Sequence, residues 1–109
     1  ITNGPKYWCD PHYDATWLWQ GVPVNPAVVS RLFGELFKDY KLDQRPGGTS
    51  APIFLALGRH DYIVPYTLWS GEEEKMPNLS VHLFEESGHT PQLEEPVRFD
   101  RLLVNWLRN

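Results

Sequence analysis

Pro52-Ile53-Phe54-Leu55-Ala56-Leu57-Gly58-Arg59-His60-Asp61-Tyr62-Ile63-Val64-Pro65 is the stretch on which the fold turns. Ile53–Leu57 is apolar at every position, so both faces of a strand drawn through it seek cover, as in a buried parallel strand. It is the longest apolar run of the chain and far below the ~20 residues a membrane helix needs. Proline introduces the run and Gly58 ends it. Downstream, residues 65 to about 76 predict a helix with Glu72, Glu73 and Glu74 exposed near its end. Leu79, Val81 and Leu83 alternate with Ser80, His82 and Phe84 and predict a second strand. Residues 85–96 read as a long loop around Ser87-Gly88-His89. Behind Pro96, the spacing of Phe99, Leu102, Leu103, Trp106 and Leu107 predicts an amphipathic helix. Strand, loop, helix, strand, loop, helix is the order of an α/β fold with a parallel sheet.

Upstream the pattern changes. Residues 43–50 (DQRPGGTS) contain only loop and turn chemistry. Before them, Asn25-Pro26 supplies an N-cap and a proline at the first helical position. Val28, Val29, Leu32, Phe33, Leu36, Phe37 and Tyr40 then follow at helical spacing, with Lys38 and Lys41 suited to the helix C-terminus. Gly34 within this helix costs it about 1 kcal/mol relative to alanine. Residues 1–24 carry Tyr7, Trp8, Tyr13, Trp17 and Trp19 without a sustained period, so they read as irregular structure that must pack on something. No internal repeat and no low-complexity tract interrupts the chain.

The whole chain has 109 residues, 41% hydrophobic and 22% charged, a balance suited to one folded domain. Fourteen acidic residues against ten Lys and Arg give a net charge of −4, which argues against binding nucleic acid through its phosphates. The single cysteine, Cys9, excludes an internal disulfide and a multi-cysteine zinc site and fits a reducing, cytoplasmic compartment. Met76 is the only methionine and no signal segment opens the sequence, so the chain reads as a processed piece or engineered fragment of something longer.

In open α/β sheets, functional side chains gather in the loops beyond the carboxyl ends of the strands. The first strand is followed by Gly58-Arg59-His60-Asp61, the second by Glu85-Glu86-Ser87-Gly88-His89. Parallel neighbours would deliver Asp61 and His89 to one edge, where a carboxylate on one ring nitrogen leaves the other free as a base. Gly88 allows a sharp backbone turn just before the imidazole. Other readings remain beside this one. Asp61 suits a turn that caps the next helix, and His89 a solvated loop. His60 and His82 with Asp61 and His89 could make four metal ligands, although His82 on a strand and His60 in a loop more simply face a helix and solvent. Glu85-Glu86 and Glu94-Glu95 could be a catalytic carboxylate pair, against the plainer reading of solvated surface, with Glu95 serving the N-terminus of the last helix. Cys9 reads as a bystander thiol. Trp17 and Trp19 are either packing residues or the walls of a substrate pocket.

These residues resemble the α/β-hydrolases. Residues 52–65 look like the acid-bearing strand and loop of that family. Ser87-Gly88-His89-Thr90-Pro91 followed by Glu94-Glu95-Pro96 looks like its histidine loop and last helix. The family order is Ser, then Asp or Glu, then His, and Asp61 and His89 match the last two. The resemblance covers about residues 50–109 and implies a C-terminal α/β-hydrolase portion: residues 46–109 supply the last two parallel strands with flanking helices, and residues 1–45 the aromatic-rich end of a helical cap. It further implies a serine hydrolase whose triad uses Asp61 and His89, with no cofactor and no metal.

The aromatic cap followed by a helix is similar to the proline iminopeptidase branch, which implies release of N-terminal proline from peptides, with Trp17, Trp19 and Tyr62 at the substrate. Some members of that branch carry Glu where this chain has Tyr62. The alternatives are a small-molecule ester or lactone hydrolase with the same cap, or a non-catalytic binding module of the same fold.

The serines are Ser30, Ser50, Ser70, Ser80 and Ser87, and none stands in G-x-S-x-G. The nucleophile is therefore expected outside this chain, in the missing N-terminal part of the same protein, and the 109 residues alone are expected to be inert. The strand at Ile53–Leu57, short of one neighbour, is expected to drive self-association. No partnership with nucleic acid or membrane is expected.

Overall fold

The computed structural model describes residues 4–39 and 49–109. The chain divides into two compact units, Ile1–Tyr13 with Ala51–Asn109, and Asp14–Ser50. The boundary expected between residues 45 and 46 lies outside the described residues. Residues 4–13, grouped by their sequence with the helical region that follows, belong by their contacts with the strand-bearing part.

In the first unit, β1 (Ile53–Gly58) and β2 (Leu79–Phe84) pair in parallel, Ile53 opposite Leu79 through Gly58 opposite Phe84. The register leaves the two carboxyl ends level, so the loops that follow them start side by side. Both strands fall where the apolar run and the alternation place them. The cover expected on both faces is only partly present: in β1 Gly58 alone is buried, and in β2 only Leu79 and Phe84 at the two ends. Among the described residues the sheet has two strands.

A helix spanning residues 65–76 is not formed as one piece. A 3-10 turn, Tyr66–Trp69, and one α-turn, α3 (Glu72–Lys75), replace it. Gly71 between them has φ 82°, a left-handed conformation that glycine adopts without cost and that breaks a right-handed helix. The loop at 85–96 likewise contains one α-turn, α4 (Pro91–Glu94), before α5 (Pro96–Arg108).

The helix α5 covers the sheet face that carries Phe54, His82 and Phe84, because alternate strand residues share a face. Phe54 meets Phe99 edge-on at 5.9 Å and Trp106 at 5.7 Å, and stacks on His82 at 4.6 Å. Phe84 is fully buried, with Phe99 at 5.9 Å and the Arg98 guanidinium 4.7 Å from its ring centre. Leu107, assigned to the apolar stripe, is exposed at the last turn. His82 thus faces the helix, as expected of a strand histidine, and its buried Nε2 has no hydrogen-bond partner among the described residues.

The second unit contains α1 (Thr16–Trp19) and α2 (Pro26–Arg31). Asn25 caps α2 as its position predicts: its side-chain oxygen accepts from the N–H groups of Ala27 at 3.0 Å and Val28 at 3.3 Å. The helix does not run on in α form. Leu32–Leu36 makes a wider π-type turn, closed by Phe37 N–H donating to Leu32 C=O at 2.8 Å. Gly34 lies inside this turn, where a position poor in helix propensity coincides with the change of helix type. Tyr40, Lys41 and most of the 43–50 loop lie outside the described residues. No described residue of this unit is buried. Among the described residues of the chain, no helix is long and apolar enough to cross a membrane.

Candidate active site

Asp61 sits three residues past the end of β1 and is buried. Its Oδ1 accepts from the N–H groups of Ile63 and Val64, each at 2.9 Å. This is the turn-forming role that an aspartate in a loop performs by itself. It uses one carboxylate oxygen and leaves the other. Oδ2 lies 2.8 Å from Nδ1 of His89. One oxygen closes a local turn and the other meets the histidine, but the expected cap on the next helix is not formed: Tyr66–Trp69 has Pro65 at its N-cap and no side-chain cap bond.

His89 arrives from the loop after β2, and that loop is held from several sides. Ser87, fully buried, donates its hydroxyl to Glu95 Oε2 at 2.6 Å, and Glu86 N–H donates to the same oxygen at 3.1 Å. Gly88 N–H donates to Glu94 Oε2 at 2.8 Å, and Glu94 Oε1 accepts from Cys9 N–H at 2.7 Å. His89 N–H donates to Tyr7 C=O. The Tyr7 ring stands edge-on to the imidazole, with centroids 5.3 Å apart at 86°. The side chain of His89 is 38% exposed, so the imidazole is open to solvent while its partner is enclosed.

Three expectations change at this loop. Gly88 does not have a positive φ, so a left-handed turn is not what requires glycine there. Space is the reason: a Cβ on Gly88 would fall 2.8 Å from Trp8 Cα and against the Tyr7 carbonyl. Glu94 and Glu95 are not solvated surface; both are half-buried and engaged with loop N–H and O–H groups. Glu95 stands at the N-cap of α5 but makes no side-chain cap bond, because its Oε2 is spent on Glu86 and Ser87. The only sequence signal for these roles is the bare acidic pair between His89 and Pro96.

Glu85 is engaged differently. It receives two hydrogen bonds from the Arg59 guanidinium, 2.8 and 2.9 Å, and ties the two strand ends together. Arg59 also donates to the Tyr66 hydroxyl at 2.8 Å, its guanidinium 4.9 Å from that ring's centre. The hydrogen bond from Arg59 holds the Glu85 carboxyl below the usual carboxylate range and raises the guanidinium in turn.

Tyr62 lies next to Asp61, 62% exposed, with its N–H donated to Lys6 C=O at 3.1 Å. Trp17 and Trp19 lie on α1 in the other unit, 57% and 67% exposed. His60 and His82 do not join Asp61 and His89: His60 N–H bonds to Ser87 C=O, and His82 is stacked on Phe54. Among the described residues no three His, Cys, Asp or Glu side chains could hold a metal ion. Cys9 is a free thiol whose pKa is raised, first by partial burial and then by the Glu94 carboxylate, which favours the unreactive protonated form. An open recess of about 610 Å³ is lined by Trp8, Tyr13 and Leu93 among acidic neighbours, and neither Asp61 nor His89 lines it.

The parallel strand pair, with loop residues converging beyond its carboxyl ends and helices on the flanks, is the C-terminal part of an α/β-hydrolase fold. Over 98 residues, 89% of its length, the chain is 40% identical to the AB hydrolase superfamily protein YclE of Bacillus subtilis, covering 34% of that protein. It is 34% identical over 73 residues to a 2-hydroxy-6-oxononadienedioate/2-hydroxy-6-oxononatrienedioate hydrolase of Cupriavidus pinatubonensis, 67% of this chain and 25% of that one. A Burkholderia vietnamiensis hydrolase of the same description is 35% identical over 72 residues, 66% of this chain and 24% of that one. The chain thus spans about a third of the first relative and about a quarter of the other two. No family model matches the chain, and no solved structure does so significantly. Fold and relatives together support assigning this chain to the α/β-hydrolase superfamily.

Proposed function

We propose that this chain supplies the acid and the base of a serine-hydrolase triad, Asp61 and His89. The observation that carries the reading is the 2.8 Å approach of Asp61 Oδ2 to His89 Nδ1. With Nδ1–H donated to the carboxylate, the lone pair of Nε2 is available. That nitrogen takes the proton of a serine hydroxyl as its oxygen attacks the substrate carbonyl, then returns it to the leaving group. Asp61 fixes the tautomer and stabilises the imidazolium. The serine is not supplied in a G-x-S-x-G motif of these 109 residues, so the chain by itself is inert toward esters.

The substrate class is a small molecule with a hydrolysable carbonyl group, which the names of the relatives support. Release of N-terminal proline is the second reading, favoured by the flat apolar surfaces of Trp17 and Trp19, which suit a prolyl ring. Of the cap that the sequence assigns to residues 1–45, residues 14–39 keep that role in either case. The outer edges of the two strands, which pair with no further strand among the described residues, support self-association of the chain, which light scattering at several concentrations measures.

The test replaces the matching segment of the Bacillus relative with this chain and measures hydrolysis of p-nitrophenyl esters and of proline p-nitroanilide. Activity that falls about 10⁴-fold in Asp61→Asn, and at least as far in His89→Ala, supports the triad. Activity indifferent to both substitutions overturns it. Steady ester hydrolysis by the 109-residue chain alone, abolished by His89→Ala, overturns the external nucleophile.

A further inference from the structure

We propose that Glu94 is a positioning residue for His89, a role that rests on the reading of His89 as the base paired with Asp61. The argument starts from the donors. Gly88 N–H and Cys9 N–H belong to segments far apart in sequence, and each needs an acceptor where the two segments cross. The Glu94 carboxylate, which is acceptor-only when ionised, gives one oxygen to each, at 2.8 and 2.7 Å. The crossing is tight enough that a Cβ on Gly88 would collide with Tyr7 and Trp8 backbone. Two successive peptides leading to the imidazole are therefore fixed, Gly88 N–H by Glu94 and His89 N–H by the carbonyl of Tyr7. The Tyr7 ring then meets the imidazole edge-on. Glu94 thus fixes where the His89 backbone stands, and the Tyr7–Cys9 segment that it pins limits where the ring can turn. Bonds to an ionised acceptor are the stronger kind, which suits a staple between two loops.

Glutamine at 94 is the discriminating change. Its amide has one oxygen, so one of the two N–H groups loses its acceptor while side-chain size is kept. Proton NMR of the 109-residue chain reads the His89 Nδ1–H resonance and its solvent exchange, together with the amides of β1 and β2. In the unaltered chain the imidazole proton is expected to be observable and to be lost in Asp61→Asn. In Glu94→Gln it is expected to exchange about tenfold faster or more, while the strand amides keep their protection. An imidazole proton lost in Asp61→Asn but unchanged in Glu94→Gln overturns the role of Glu94 and leaves the pair standing. An imidazole proton indifferent to Asp61→Asn overturns the pair, and the role of Glu94 with it. Equal loss of protection in loop and strands in Glu94→Gln assigns Glu94 to general stability and overturns positioning. Should Glu94→Gln fail to fold, scalar coupling across the hydrogen bond decides in the unaltered chain. Coupling between the Gly88 amide nitrogen and the Glu94 carboxyl carbon supports the staple, and its absence overturns it.

Discussion

The loop after β1 and the loop after β2 deliver the two halves of one hydrogen bond, yet they are built by opposite means. Asp61 itself is held locally, although the N–H groups of its neighbours His60 and Tyr62 go to Ser87 and Lys6: Oδ1 binds the N–H groups two and three residues ahead, and Asp61 N–H donates back to Gly58 C=O at 3.3 Å. The His89 loop has little local support. Its N–H and O–H groups go to Glu94 and Glu95, six to nine residues on, and to Tyr7 at the other end of the chain. A locally closed turn survives changes elsewhere. A loop closed by remote partners inherits the stability of each of them. The pair is therefore expected to fail from the histidine side first.

The largest expected effect removes the floor of the histidine loop. Phe84, the last residue of β2, is fully buried between Phe99 and Arg98. Phe84→Ala is expected to cost about 3–5 kcal/mol in urea unfolding, enough to consume much of a small domain's stability. Near-UV circular dichroism from the tryptophans follows the transition. A cost below about 1 kcal/mol would show that the loop does not rest on β2.

Next in size is the buried hydroxyl. Glu95→Ala leaves Ser87 Oγ and Glu86 N–H without their acceptor, an expected cost of about 1–3 kcal/mol. Ser87→Ala removes the donor as well, so part of that cost should vanish in the double variant. Additive single and double variants in such a cycle would break the claim that the loop depends on this contact. Asp61→Asn should sit lower still. The side-chain oxygen of asparagine can go on accepting from Ile63 and Val64, so stability is expected to change by less than about 1 kcal/mol while the link to His89 is lost. Hydrogen exchange at Ile63 and Val64 checks this; rapid exchange there would mean that the acid loop also leans on the pair.

The same division explains what could be read in the sequence. Both strands, the Asn25 cap, the Asp61 turn and the start of the last helix at Pro96 depend on residues within a few positions, and each was legible. So was the convergence of Asp61 and His89, because parallel strands in level register carry their loops to one edge. Illegible were the roles of Glu94 and Glu95 and the lodging of Tyr7–Cys9 against Gly88. Nothing in an acidic pair says which N–H groups it will meet. Gly88 was assigned its glycine for the wrong reason, since a close approach by a segment some eighty residues away leaves no local trace. The break at Gly71 was missed for a local reason: glycine lowers helix propensity only modestly, and the left-handed φ appears only in the structure.

The smallest expected effect concerns the clamp across the two strand ends. Glu85 ionises more readily in the folded chain than in the unfolded one, because the Arg59 guanidinium donates to its carboxylate. A group whose pKa is depressed by folding adds stability at pH above its unfolded value, about 4.3 for a glutamate. That contribution disappears as acid takes the pH down through the folded value. The acid limb of unfolding should therefore be slightly shallower in Glu85→Gln, and the difference from the unaltered chain should vanish below the folded pKa. Both partners are exposed, so the effect is small and screened: raising salt toward 1 M should erase most of it. Because the clamp joins the strand ends rather than either loop to itself, its loss should leave the Asp61 turn and the Glu94 staple equally protected in hydrogen exchange. Selective deprotection of the histidine loop in Glu85→Gln would instead make Arg59 one more of the remote partners on which that loop depends.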